Sequence, residues 1–159
     1  MNVGRVAVLV IVGAGLLGGA LMFYLQVWGY YDAVNLGDDP VVIDAPGADA
    51  AFAVSSFEGI DADSSPIRYR ACFEVDRPEV LRQLAEPAPD AVPLNAPFWF
   101  GCFDADLIGG DLAAGRALPI YLRRDVMPGV DRVAALYPDG RAYAWHQLND
   151  LYDDSRRIE

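Results

Sequence analysis

The stretch VAVLVIVGAGLLGGALMFYLQV, residues 6–27, decides how this chain is organised. Its 22 positions carry no charged side chain. At 1.5 Å per residue a helix of that length spans ~33 Å, enough for a hydrocarbon core of about 30 Å. No other apolar run in the 159 residues is long enough to cross. The fold expected is therefore α+β: one N-terminal transmembrane helix, assigned to residues 6–28, and one small domain with a mostly antiparallel sheet and two short helices.

The flanks orient the helix. Arg5 is the only charged side chain before Asp32, whereas Asp32, Asp38, Asp39 and Asp44 follow the span. The positive-inside rule makes residues 1–5 a cytoplasmic stub and sets the acidic part outside. Phe23, Tyr24, Trp28, Tyr30 and Tyr31 gather at the exit, where amphipathic rings favour the headgroup level. A cleaved signal peptide is the competing reading. Gly18-Gly19-Ala20 is a weak small-residue site, however, and the apolar run continues past it, so the helix is expected to stay. Gly13, Ala14, Gly15, Gly18, Gly19 and Ala20 give it a small-residue face. Gly15, Gly18 and Gly19 are the helix-packing candidates, since small residues let a second helix approach closely. Glycine incidental to a membrane helix is the plain alternative.

Charge narrows the partners. All twelve basic residues are arginine, and from Asp32 onward 11 of them face 23 acids, a net charge of −12. Such a domain repels phosphates and anionic lipid, so nucleic acid is not an expected ligand. A basic protein is the natural electrostatic partner. The apolar fraction of 53% is enough for a buried core and argues against disorder throughout.

Residues 29–40 read as a linker, 41–148 as the α+β domain and 149–159 as a polar, frayed tail. Val41–Asp44 and Ala50–Val54 are short strand candidates around the turn pair Pro46-Gly47. Residues 67–75 alternate best, with Ile67, Tyr69, Ala71, Phe73 and Val75 on one face and Arg68, Arg70, Cys72 and Glu74 on the other. Asp76 then caps a helix with Pro78 in its first turn and Val80, Leu81 and Leu84 as its stripe. Pro87 to Pro97 reads as a surface loop. A second helix is expected over 104–114, with Asp104 and Asp106 at its start and Gly115 as terminator. Residues 117–122 form a strand, and 130–137 and 141–148 flank Pro138-Asp139-Gly140, a hairpin signal.

Cys72 and Cys102 are the two cysteines. Outside the cytoplasm such a pair most often forms a structural disulfide. A reactive Cys102 thiol ahead of a helix N-terminus is the sharper alternative. The sole histidine, His146, lies in a strand, where a packed or hydrogen-bonded ring is the plainer reading than a general base. Asp61-Ala62-Asp63-Ser64-Ser65 resembles a fragment of a calcium loop but lacks its central glycine and terminal glutamate, which favours a polar turn. Asp104 and Asp106, as neighbours at a helix start, suit the dipole better than glycosidase chemistry. Trp99 and Phe100, within Phe98-Trp99-Phe100…Phe103, are core candidates and, alternatively, a surface for a partner. No catalytic, cofactor or metal constellation is expected.

Residues 59–73 (GIDADSSPIRYRACF), 99–104 (WFGCFD), 129–133 (GVDRV) and 137–149 (YPDGRAYAWHQLN), with the N-terminal span, resemble an uncharacterised alphaproteobacterial family of short single-span proteins. The resemblance implies a bacterial inner membrane and a periplasmic domain, and brings no activity. Members are sometimes labelled histidine kinases. This chain departs from that label: it has no glycine-rich nucleotide lid, its one histidine is expected outside the cytoplasm, and about five residues precede the span.

The function expected from these features is that of a non-catalytic accessory subunit of an inner-membrane complex. A respiratory-chain assembly, whose acidic domain docks a basic cytochrome c-type carrier, is the specific form. A periplasmic assembly or quality-control factor is the alternative, and a hydrolase built on His146 with a serine and an acid is a third.

Overall fold

The computed structural model describes residues 2–37 and 52–152. The strand candidate at 41–44, residues 50–51 of that at 50–54 and residues 153–159 of the tail lie outside them; residues 52–53 are not strand, and a strand begins only at Val54. The chain divides into two compact units, residues 1–31 and 32–159.

The first unit is helix α1, Val3–Tyr24, running into one π-helical turn, Leu25–Gly29. Together they make a 27-residue helix long and apolar enough to cross a membrane, and none of its side chains is buried. In the π-turn the Tyr30 amide donates to the Leu25 carbonyl at 3.2 Å, one residue further back than in an α-helix. Residues five apart are thereby neighbours: the Phe23 and Trp28 rings meet edge to face, centroids 5.6 Å apart.

The second unit is built on a six-stranded antiparallel sheet of order β1-β2-β3-β6-β5-β4. Its strands are β1 (Asp32–Val34), β2 (Val54–Asp61), β3 (Arg70–Val75), β4 (Leu118–Met127), β5 (Val130–Leu136) and β6 (Arg141–Leu148). Two short helices, α2 (Pro78–Leu84) and α3 (Ala105–Ala113), complete the α+β architecture expected from the sequence. Hairpin β5–β6 falls where Pro138-Asp139-Gly140 places it. Gly140 takes φ +95°, and a Cβ there would meet the Val75 carbonyl oxygen at 2.7 Å.

A row of small residues crosses the middle of the sheet, Gly59–Ala71–Ala144–Ala134, ending on Ile120. With Phe73, Leu136 and Ala142 it joins Leu81 and Ala85 of the α2 segment in one buried cluster. The opposite face carries larger side chains: Arg70, Trp145, Val133 and Tyr121 pair in register across β3, β6, β5 and β4. Phe103 packs edge to face on Trp145 and on Tyr143, both 6.2 Å between centroids, and brings α3 onto this face. The sheet is thus covered on both sides.

Three local expectations are corrected. Strand β3 begins at Arg70 rather than Ile67, because the carbonyls of Ile67 and Tyr69 accept from the Arg70 guanidinium at 2.9 and 2.6 Å instead of entering a ladder. Arg70 and Cys72, expected on a polar face, are buried under the α3 side. Part of the expected linker forms the edge strand β1. Strand β2 was hidden in the sequence by a bulge: between Ser55 and Glu58 it has one residue more than β3 opposite, and Ser56 takes φ +53°.

Candidate functional site

The expected sites resolve as follows. Cys72 and Cys102 form a disulfide, with Cα atoms 6.3 Å apart, that ties β3 to the segment leading into α3. Asp104 caps α3 by accepting from the Leu107 amide at 3.0 Å, and Gly115 ends the turn at φ +69°. Asp61 serves its own turn, accepting from the Ala62 amide at 2.8 Å. Gly15, Gly18 and Gly19 lie on α1 with open space around each position. Phe100 is buried and Trp99 half-buried, so the ring most exposed in that cluster is Phe98.

His146 is buried with both ring nitrogens engaged. Arg132 Nε donates to Nε2 at 3.0 Å, and Nδ1 lies 3.0 Å from the Pro66 carbonyl. A nitrogen that accepts and one that faces a carbonyl assign the neutral ring with its proton on Nδ1. The imidazole stacks on Tyr69 at 4.6 Å, and the Arg132 guanidinium lies 4.1 Å from the same Tyr69 ring. In this conformation neither nitrogen is open to a substrate.

A second buried group supports the α3 side. The Asp111 carboxylate accepts from the Tyr137 hydroxyl and from Arg116 Nε, both at 2.6 Å. These bonds hold Asp111 below the usual carboxylate range, the phenol first and Arg116 second. Burial, then the bond to Asp111, pushes the Tyr137 phenol well above its ordinary value.

The concave site lies at the far end of that face, where the Pro87–Pro97 segment folds back over the sheet. The segment is fixed by its backbone. Ala88 N donates to Pro119 O at 3.0 Å and Tyr121 N to Glu86 O at 2.9 Å, which shields part of edge strand β4. Arg70 Nε and Nη2 donate to the Leu94 and Asn95 carbonyls at 2.8 and 3.0 Å. Beneath lies a cavity of about 380 Å³. Its apolar wall includes Val92, Leu94 and Leu148; its polar wall has Asp90, Asp131 and Asp150 with one guanidinium, Arg124.

Asp131 is the buried charge of this site, 1% exposed. Its Oδ1 accepts from the Asp125 amide and from Asn149 Nδ2, both at 2.9 Å. Asn149 Nδ2 also donates to Asp125 Oδ1, and Asn149 Oδ1 accepts from the Leu151 amide, so the start of the expected frayed tail is a fixed helical turn at 150–152. Asp125 sits at φ +47° within the second of two register shifts in β4. Asp131 Oδ2 has no hydrogen-bond donor within reach among the described residues; its nearest charge, Arg124 Nη1, is 3.8 Å away. Arg124 is drawn to Glu86, at 2.6 and 3.2 Å, and lies 3.8 Å over the Tyr121 ring.

None of Tyr121, Arg124, Asp131 or Asn149 stood out in the sequence as a site residue. The one signal was Asp131 itself, an ionisable side chain inside the apolar strand Val130–Leu136. Among the described residues no three His, Cys, Asp or Glu side chains are grouped so as to hold a metal ion.

No curated protein and no solved structure matches the chain. Residues 41–156, nearly the whole of the second unit, match the family DUF6446, described as a family of unknown function. The chain belongs to that family.

Proposed function

We propose that this protein is a non-catalytic accessory subunit of a bacterial inner-membrane complex. Helix α1 anchors it with the N-terminus in the cytoplasm, and the acidic domain stands in the periplasm. One observation carries the reading: a 27-residue apolar helix with no buried side chain is joined to a domain of net charge −12. So much exposed apolar surface requires lipid or another helix to cover it. Arg5 ahead of α1 supports the orientation, and the Cys72–Cys102 bond supports an oxidising compartment. A respiratory assembly fits best, because a strongly acidic surface steers and docks a basic electron carrier of the cytochrome c kind.

Affinity purification from gently solubilised membranes tests the proposal. A stoichiometric complex, with a carrier that dissociates as salt rises, is the expected result. Recovery of the chain alone overturns it. Sub-stoichiometric recovery with a defect in complex maturation favours an assembly factor instead.

A further inference from the structure

The cavity under the Pro87–Pro97 segment combines features that recognise one chemistry. Among the described residues its three carboxylates outnumber its single guanidinium, which is committed to Glu86 outside. An anion would therefore meet Asp90, Asp131 and Asp150 with no unshared cation among the described residues to answer it. The Tyr121 ring stacks the Arg124 guanidinium at 3.8 Å and so helps to hold that side chain away from Asp131 Oδ2. The Asp131 residue is buried, while its Oδ2 borders the cavity and has no hydrogen bond among the described residues. A carboxylate oxygen that borders a cavity without a hydrogen bond is an acceptor that an incoming donor can reach. The volume lies within the range of small-ligand pockets, about 300–1,000 Å³, and Val92, Leu94 and Leu148 offer apolar wall to an aliphatic stem.

We propose that this cavity is a recognition pocket for a guanidinium or alkylammonium group on an aliphatic stem, whose head bonds Asp131 Oδ2 where Arg124 stops short. Arg124 is a resident competitor, parked on Glu86 and Tyr121. The proposal gives the docking function a chemical address and rests on that function only for the source of the cation, a basic side chain of the partner rather than a free amine.

The test titrates the full-length protein in detergent with N-acetyl-L-arginine amide, using the glutamine analogue as the neutral control. Saturable binding of the arginine analogue alone is expected. Asp131→Asn keeps an oxygen for Asp125 N and Asn149 Nδ2 but removes the charge, and weakens binding by about tenfold or more. Arg124→Met removes the competitor and tightens binding. Tyr121→Leu removes the ring on which Arg124 is parked, frees it to compete and weakens binding, a second readout should Asp131→Asn unfold. Non-saturable binding, equal binding of the glutamine analogue, or no change in Asp131→Asn overturns the pocket. Binding that appears only after Arg156→Gln and Arg157→Gln supports the chemistry but makes the chain its own source. If the complex purifies with wild type and is lost with Asp131→Asn, the cation belongs to the partner. If the chain purifies alone yet binds the analogue, the pocket stands and the accessory-subunit reading falls.

Discussion

The two faces of the sheet are held by different physics. On the α2 face, Ala71, Ala134 and Ala144 form a flat row, and Leu81, Phe73 and Leu136 fill the space above it. Burial supplies most of its cohesion, since apolar area contributes without regard to direction, and the Arg132–His146 pair stacked on Tyr69 is its main directed contact. On the α3 face the cover is a loop, a nine-residue helix and a disulfide, pinned by directed bonds: Arg70 to carbonyls, Asp111 to Tyr137 and Arg116, Asp131 to Asn149. Non-directional packing closes every gap it can. A face assembled from hydrogen bonds and a covalent tie can keep a cavity open beside a charge, and the candidate site lies there.

The comparison breaks most visibly at the disulfide. Closing the 30-residue separation of Cys72 and Cys102 is worth about 3–4 kcal/mol in the chain-entropy model. The double variant Cys72→Ala, Cys102→Ala is expected to lose that much in urea unfolding. Amide exchange should rise first in α3 and the Pro87–Pro97 segment, which the disulfide and Arg70 hold, and little around α2. Uniform loosening of both faces would show that they are not separately stabilised.

Substitutions at matched depth sharpen it. Leu81→Ala, on the apolar face, is expected to cost about 2–4 kcal/mol through lost contact and cavity. Arg70→Met removes donors from the Leu94 and Asn95 carbonyls and is expected to cost about 2–3 kcal/mol. The second variant alone should free the segment that roofs the cavity, seen as proteolysis between residues 87 and 97.

The contrast also explains what the sequence allowed to be read. Helix α1, the cap at Asp104 and the β5–β6 hairpin depend on residues close in the chain, so spacing and turn chemistry sufficed. The row Ala71, Phe73, Val75 was legible because burial on the apolar face follows the period of two. Alternation puts Arg70 on a polar face because nothing local reveals that a segment more than twenty residues later offers its carbonyls. The bulge at Ser56 erased the alternation of β2. The cavity was illegible for the same reason as Arg70: Asp90, Tyr121, Asp131 and Asp150 come from four separate places in the chain.

A pH series separates the two buried partners on the α3 face. Asp111 is held below the ordinary carboxylate value of about 3.9, so its stabilisation is present above that pH and lost as pH falls through the folded value. Tyr137 is held above the ordinary phenol value of about 10, so its stabilisation is present below that pH and lost as pH climbs past it toward the folded value. Asp111→Asn should flatten the acid limb of a urea-midpoint profile yet leave much of the alkaline limb, because burial is the larger cause at Tyr137. Tyr137→Phe should abolish the alkaline limb and shrink the acid one, leaving the Arg116 contribution. Identical profiles for both variants would mean that other groups dominate.

The smallest stability effect is expected at the rim of the cavity. Glu86 and Arg124 are about half exposed, and water screens such pairs to about 0–1 kcal/mol. Arg124 holds the Glu86 carboxyl below its usual range, so the pair stays formed at neutral pH. Glu86→Gln should therefore move the melting temperature little while releasing the guanidinium that Glu86 holds 3.8 Å from Asp131 Oδ2. A freed Arg124 can close that gap and compete for the buried oxygen, so Glu86→Gln should weaken binding of the arginine analogue where Arg124→Met tightens it. Opposite signs from the two ends of one ion pair, at nearly constant stability, are what a parked competitor predicts. A purely structural pair would instead leave the analogue's affinity alone in both variants.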